Sequence, residues 1–119
     1  MSIFVKTSSP HMLVDSIKEK IKSQTINTWA VDDDGDMTHT AEQWKYCAWI
    51  RSKVEPELNR VVFFIICRND RDLTVSDYAI YHGRFIEMLL THFDKDCQDI
   101  QVTALASKYD SVVASKKNG

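Results

Sequence analysis

Apolar and polar residues alternate along the chain with two different periods, and each period predicts one kind of element. From Pro10 to Gln24 the period is helical, and Ser8 or Ser9 is the expected N-cap. The apolar stripe of this helix consists of Leu13, Val14, Ile17 and Ile21. A second helix is predicted from a cap at Thr74 or Ser76 to about Phe93.

β-branched and aromatic residues dominate the stretches between and around the helices, which favours strands. The predicted strands are SIFVKT, INTWAVDD, MTHT, residues 46–54, RVVFFIIC and DIQVTAL. The composition of residues 46–54 also tolerates a helix, and a strand is favoured because RVVFFIIC follows and would complete a hairpin. RVVFFIIC is apolar on both faces, so both of its faces need cover.

The order β-α-β-β-β-β-α-β predicts an α+β fold. We expect a two-layer sandwich, with a mainly antiparallel sheet of five to six strands and two helices on one face. Residues 1–106 should form a single domain, because 119 residues suffice for one core. The polar residues 107–119 are expected to form a flexible C-terminal tail.

The charge pattern excludes two broad classes of partner. The net charge is −2 and no basic block is present, which argues against nucleic acid but leaves a small nucleotide possible. No apolar run approaches the roughly 20 residues that span a bilayer, and no secretory signal is visible. Cys47, Cys67 and Cys97 are widely spaced, as in reduced cytoplasmic proteins. The expected location is therefore the cytoplasm.

The acidic stretch DDDGD, residues 32–36, is the most conspicuous local feature. A calcium loop with Gly35 at its sixth position would have Ala30 and Ala41 in place of its first and last ligands. Asp34-Gly35 instead favours a hairpin turn with positive φ at both residues. We therefore predict a turn and no metal site, with an exposed His39 beside it.

Glycine is too scarce for the common nucleotide folds. Only Gly35, Gly83 and Gly119 occur, which argues against a phosphate-cradling loop of the standard ATP, GTP or NAD folds, and no cofactor is predicted. Neither a GxSxG elbow nor an HExxH helix is present. A cysteine nucleophile with a histidine partner stays open, because such residues meet in space and not in sequence.

His82 lies in the centre of the apolar face of the second helix, beside Gly83, a glycine expected to permit a close approach. One interpretation is a neutral core histidine bonded to a strand carbonyl or a tyrosine. The other is a catalytic or ligand-binding group in a pocket between helix and sheet. The pocket candidates are His82, Tyr81, Arg84 and Trp44, and we assign no catalytic residue.

The stretches VDDDGDMTHTAEQWKYCAW and YAIYHGRFIEMLLTHF resemble a family of small, uncharacterised bacterial proteins. The resemblance extends up to VTALAS, and it implies a bacterial cytoplasmic protein without bringing an activity or a cofactor.

Two hypotheses on function follow from the sequence. The first is a non-enzymatic binding or protein-interaction domain, because every standard catalytic motif is missing. The second is a small hydrolase-like enzyme that uses a pocket centred on His82. The second apolar face of RVVFFIIC could be covered by the hairpin around Trp44, by the C-terminal tail or by a second copy, and we predict a homodimer.

Overall fold

The computed structural model describes residues 1–113 and shows one sheet with two helices on one face. The elements are β1 (Ile3–Lys6), α1 (Pro10–Lys22), β2 (Trp29–Val31), β3 (Met37–His39), β4 (Ala48–Glu55), β5 (Arg60–Cys67), α2 (Val75–Phe93) and β6 (Asp99–Val102). The six strands lie in the order β2-β3-β4-β5-β1-β6, and every neighbouring pair is antiparallel. The predicted α+β class and element order are confirmed.

The β4–β5 hairpin is the longest pairing of the sheet and settles the ambiguous segment. Its register runs from Ala48 opposite Cys67 to Glu55 opposite Arg60. The strand begins two residues later than predicted, because Tyr46 has a φ of 62°, in the left-handed region that neither a strand nor a helix accepts. The strand prediction for residues 46–54 is thus confirmed from residue 48 onward.

The core lies between the helices and one face of the sheet. Alternate strand residues such as Val5, Val61 and Phe63 point toward the helices and are buried. Phe63 meets Phe85 of α2 with ring centroids 4.8 Å apart. Burial of one such side chain stabilises the fold by about 1.5–3 kcal/mol, so this layer supplies much of the driving force.

Helix α2 begins with a capping box at Thr74. The hydroxyl of Thr74 accepts the N–H of Asp77 at 3.1 Å, and the Asp77 carboxylate accepts the N–H of Thr74 at 3.2 Å. Arg71 donates to the same carboxylate at 2.8 Å. Thr74 is therefore the cap, and the alternative, Ser76, lies inside the helix.

The C-terminal segment joins the edge of β5 beyond the first residue of β1, Ile3, which lies opposite Phe63. Ser111 donates its N–H to Ile65 at 3.0 Å, and Cys67 donates to the carbonyl of Ser111 at 2.8 Å. The Asp110 carboxylate also accepts the N–H of Ile65, at 3.0 Å. Residues 107–113 of the expected tail thus pack on the domain, because β1 leaves this part of the β5 edge free. The rest of the tail, residues 114–119, lies outside the described residues.

The same segment covers part of the second face of the sheet. The Tyr109 ring lies 6.0 Å from the Phe4 ring and 5.9 Å from the Phe64 ring, measured between centroids. Val62, on this face, is fully buried. Trp49 and its strand partner Ile66 stay half-buried on this face. The sequence left three possible covers for this face of the sheet: the hairpin around Trp44, the C-terminal tail and a second copy of the chain. The C-terminal segment covers part of it.

Candidate functional site

The acidic stretch forms the β2–β3 turn. Gly35 donates to the carbonyl of Asp32 at 3.0 Å, and Asp32 donates to the carbonyl of Asp36 at 2.9 Å. Gly35 has a φ of 83°, whereas Asp34 does not have a positive φ. The predicted hairpin turn is confirmed. The predicted turn type, with positive φ at both Asp34 and Gly35, is wrong. The loop has three residues and ends in a glycine bulge, which needs only one residue with positive φ.

Two of the four carboxylates in this turn, those of Asp32 and Asp36, have a structural partner. Arg51 binds Asp36 through two hydrogen bonds of 2.8 Å each. One oxygen of Asp32 accepts the N–H groups of Asp34 and Asp36 at 2.9 Å each. Asp32, Asp34 and Asp36 offer oxygens within 4.8 Å of one another. Two of these three carboxylates already hold protein donors, and the absence of a metal site stays a prediction.

A groove of about 380 Å³ opens between α2 and the turns at residues 41–47. Its walls include Trp29, His39, Gln43 and Trp44 on one side and Arg84, Glu87 and Met88 on α2. Its size falls in the range of small-molecule sites. The structure thus brings together two of the four pocket candidates, Trp44 and Arg84.

Tyr81 lies beneath this groove without lining it. The residue is fully buried, and its hydroxyl donates to the main-chain carbonyl of Trp44. The hydroxyl also lies 3.0 Å from the Thr38 hydroxyl. Burial raises the pKa of Tyr81, so the phenol keeps its proton. Tyr81 therefore positions the segment that carries Trp44.

His82 is a core residue and lies away from the groove. Its exposed fraction is 6%, and its Nδ1 donates to the Tyr78 carbonyl at 2.7 Å. The predicted burial is confirmed, and burial lowers the pKa of His82, which favours the neutral ring. The partner is a carbonyl of its own helix and neither a strand carbonyl nor a tyrosine hydroxyl. On a helix, residues two apart point about 160° away from each other, so the groove lined by Arg84 does not include His82.

Gly83 does not serve a close approach. A Cβ built on Gly83 would meet no atom within 4 Å, and the residue is exposed. The expectation from the sequence is wrong here, since the glycine lies on the solvent side of the helix at the edge of its apolar face.

His39 is the residue that the sequence did not identify as a site residue. We expected it to be exposed beside the acidic turn, but its exposed fraction is 8% and it lines the groove. Met37, two residues earlier on β3, is fully buried. Because side chains alternate along a strand, that burial carries His39 to the helix side of the sheet. The ring of Trp29 packs edge-on against it at 5.2 Å.

The local backbone fixes which nitrogen of His39 carries the proton. Its Nδ1 accepts the N–H of Ala41 at 3.1 Å, so this nitrogen is the unprotonated one and the neutral ring carries its proton on Nε2. Burial lowers the pKa of His39 and the charge of Arg84 lowers it further, against the opposite influence of Glu87. The ring is therefore neutral at pH 7.

The Nε2 atom of His39 opens onto the groove. Within residues 1–113 it forms no hydrogen bond, and no fully buried side-chain nitrogen or oxygen there lacks a partner. Nε2 therefore keeps some solvent-accessible surface, and His39 lines the groove. Although the residue is largely buried, its N–H donor is thus open to water or to a ligand.

Arg84 and Glu87 complete the polar wall. Nη1 of Arg84 lies 3.4 Å from a carboxylate oxygen of Glu87, and the two side chains are 54% and 64% exposed. Such a long, exposed contact contributes little stability, so both groups can turn toward a ligand. The groove wall offers donors on His39 and Arg84 and an acceptor on Glu87. The ion pair between Arg84 and Glu87 carries no net charge.

None of the three cysteines lines this groove. Burial raises the pKa of Cys97 to about 11, which keeps the thiol protonated. Cys47 donates through its thiol to the carbonyl of Gln43 at 3.6 Å, and Cys67 is buried beside Ser111. All three thiols are free.

No protein-family model, curated protein or solved structure matches the chain. Among residues 1–113, no helix has both the length and the apolar character that crossing a membrane requires. The site must therefore be interpreted from its own chemistry.

Proposed function

We propose that the protein is a small cytoplasmic, non-enzymatic binding domain that holds its ligand in the groove between α2 and residues 41–47. The observation that carries the proposal is the Nε2–H group of His39. This N–H has no protein partner and is not fully buried, so water in the groove bonds to it in the free protein. A ligand with a hydrogen-bond acceptor could displace that water and take over the bond.

The state of His39 also favours binding over catalysis. A general base needs an accessible nitrogen that can accept a proton. Here the accessible nitrogen already carries the proton, and the nitrogen with the lone pair is held by Ala41. The hydrolase-like alternative around His82 lacks support, because His82 donates to Tyr78 within its own helix and does not line the groove.

Binding to a second copy of the chain is part of the proposal. The surface left by Tyr109 contains Tyr46, Trp49 and Ile66, which we call the Trp49 patch. Tyr46 is 55% exposed, and its ring stacks on Trp49 at 6.5 Å. Aromatic residues of this kind are common in interfaces, so the patch supports the predicted homodimer.

Ligand-observed NMR with a library of neutral, anionic and cationic fragments would test the groove. We expect some fragments to bind and to shift the Nε2 resonance of His39 in long-range 1H–15N spectra. Arg84→Ala should weaken those fragments, whereas Lys108→Ala, a change at an exposed cation on the other side of the sheet, should not.

Two results would contradict the proposal. The first is a library in which no fragment shifts His39. The second is hydrolysis of simple ester, amide or phosphoester substrates that His39→Gln abolishes while the variant keeps the wild-type melting temperature.

A further inference from the structure

The polar groups around His39 also indicate what kind of ligand the groove accepts, and this inference rests on the proposed function. Three polar side chains line the groove together with Trp44: His39, Arg84 and Glu87. The charges of Arg84 and Glu87 both act on the His39 ring, which places all three in one electrostatic neighbourhood.

The Arg84–Glu87 pair leaves this wall without net charge, so the wall favours a neutral ligand over a strongly charged one. An anion that approached Arg84 would also meet Glu87, and a cation that approached Glu87 would meet Arg84, since these side chains lie 3.4 Å apart. Desolvation of either charge without a partner is costly. The complementary ligand is therefore neutral and places an acceptor beside a donor along one edge.

The remaining walls favour a flat ligand. Trp44 lines the groove as a half-buried aromatic ring, and Met88 contributes a buried thioether side chain. Aromatic and sulfur-containing side chains bind the faces of π-systems well. The buried hydroxyl of Tyr81 donates a hydrogen bond to the main-chain carbonyl of Trp44, which holds the Trp44 backbone beside the groove.

We infer that the groove binds a neutral, planar heterocycle of the purine type, with guanine as the best match. Guanine presents two acceptors, O6 and N7, which suit the two donors His39 and Arg84. It also presents its N1–H and N2–H₂ donors on the adjoining edge, where a carboxylate such as Glu87 can accept both. Adenine offers a single exocyclic donor group and one acceptor on the same side, so it satisfies fewer of these groups.

Titration of the full chain with guanosine, adenosine and uridine would test this inference. The readouts are the amide spectrum and the Nε2 resonance of His39. We expect guanosine to bind most tightly and to shift that resonance. Glu87→Gln should weaken guanosine about tenfold, because one charge-assisted hydrogen bond is worth about 1.5 kcal/mol. Glu57→Gln, at an exposed acid in the β4–β5 turn, should leave the affinity unchanged.

Each side chain in the test is exposed, so the Glu87 and Glu57 variants should keep the wild-type fold. Equal binding of the three nucleosides, or guanosine binding that Glu87→Gln does not weaken, would overturn the inference. If guanosine fails while other fragments still shift His39, the purine inference falls and the binding function stands. If no compound shifts His39, both fall.

Discussion

Ala41 donates its main-chain N–H to Nδ1 of His39 across 3.1 Å, only two residues along the chain. This contact fixes the tautomer of the ring and therefore the character of the groove. Long-range 1H–15N spectra should show one tautomer, protonated at Nε2, and a pKa below the ordinary value of about 6.5. A His39 ring protonated at Nδ1 would contradict both the contact and the proposed donor.

Replacement of His82 by alanine should destabilise the fold. The change removes a buried ring and its hydrogen bond to Tyr78, and truncation of a buried side chain of this size costs about 2 kcal/mol or more. Denaturant unfolding measures the difference. His92→Ala, at an exposed site on the same helix, should change the free energy of unfolding far less. Equal stability of the His82 variant and the wild type would exclude the core role.

The stability of the protein should fall as the pH drops below about 6.5. Both His39 and His82 have lowered pKa values in the folded state, mainly because they are buried. Below the unfolded pKa of about 6.5, the unfolded chain takes up protons that the folded state resists, so the unfolded state gains stability. The loss continues until the pH reaches the folded pKa values.

Unfolding curves at pH 8, 7, 6 and 5 would follow this pH effect. The variant with both histidines replaced by glutamine should show a flatter profile over the same range, whatever its absolute stability. A double variant with the wild-type slope would show that other groups cause the loss.

Gly83→Ala should stabilise the protein. A methyl group at this position meets no atom within 4 Å, and alanine is better than glycine inside a helix by about 1 kcal/mol. Gly35→Ala provides the opposite case, because Gly35 has a φ of 83° and a Cβ there would lie 3.0 Å from Nζ of Lys18. The melting temperature should rise in the first variant and fall in the second. A lower melting temperature for Gly83→Ala would reveal a contact at this site.

The Trp49 patch should hold two copies of the chain together. Sedimentation equilibrium at micromolar concentration is expected to give twice the monomer mass of 13.8 kDa. Trp49→Arg should yield the monomer, because a charge in an apolar interface is costly to desolvate. Leu58→Arg changes an exposed apolar residue in the β4–β5 turn, outside the Trp49 patch, and should leave the dimer intact. A wild-type species at the monomer mass would refute the dimer.

Hydrophobic periodicity predicted the fold well because the long elements are strongly patterned. All eight residues of RVVFFIIC form β5, and α2 ends at the predicted Phe93. The short edge strand β2 was predicted too long, since INTWAVDD covers eight residues and only Trp29–Val31 pair. Edge strands end where a neighbour stops, and that point depends on the partner and not on local propensity.

The sequence identified the helix face of the site but not its centre. The helical period assigned His82 to the apolar face correctly, yet a buried face includes residues that no cavity reaches. Of the four pocket candidates, Arg84 and Trp44 line the same groove, whereas Tyr81 and His82 do not, and their part in function stays a prediction. His39 was missed. It shares a strand face with the apolar Met37, which points to the core, but a strand of three residues is too short for this period to be recognised.

The position of β1 between β5 and β6 has a consequence for how the chain folds. Strands β2 to β5 pair with their neighbours in sequence, whereas the Ser2 hydroxyl bonds to Asp110, 108 residues away. Closing so long a loop costs conformational entropy before any contact repays it, and such non-local pairing slows folding. The β2–β5 meander can therefore assemble first and act as the template, while β1, β6 and the Asp110 segment join in the rate-limiting step. His39 and residues 41–47, which form the strand side of the groove, belong to the β2–β5 meander. This side of the groove can therefore form before the sheet is complete.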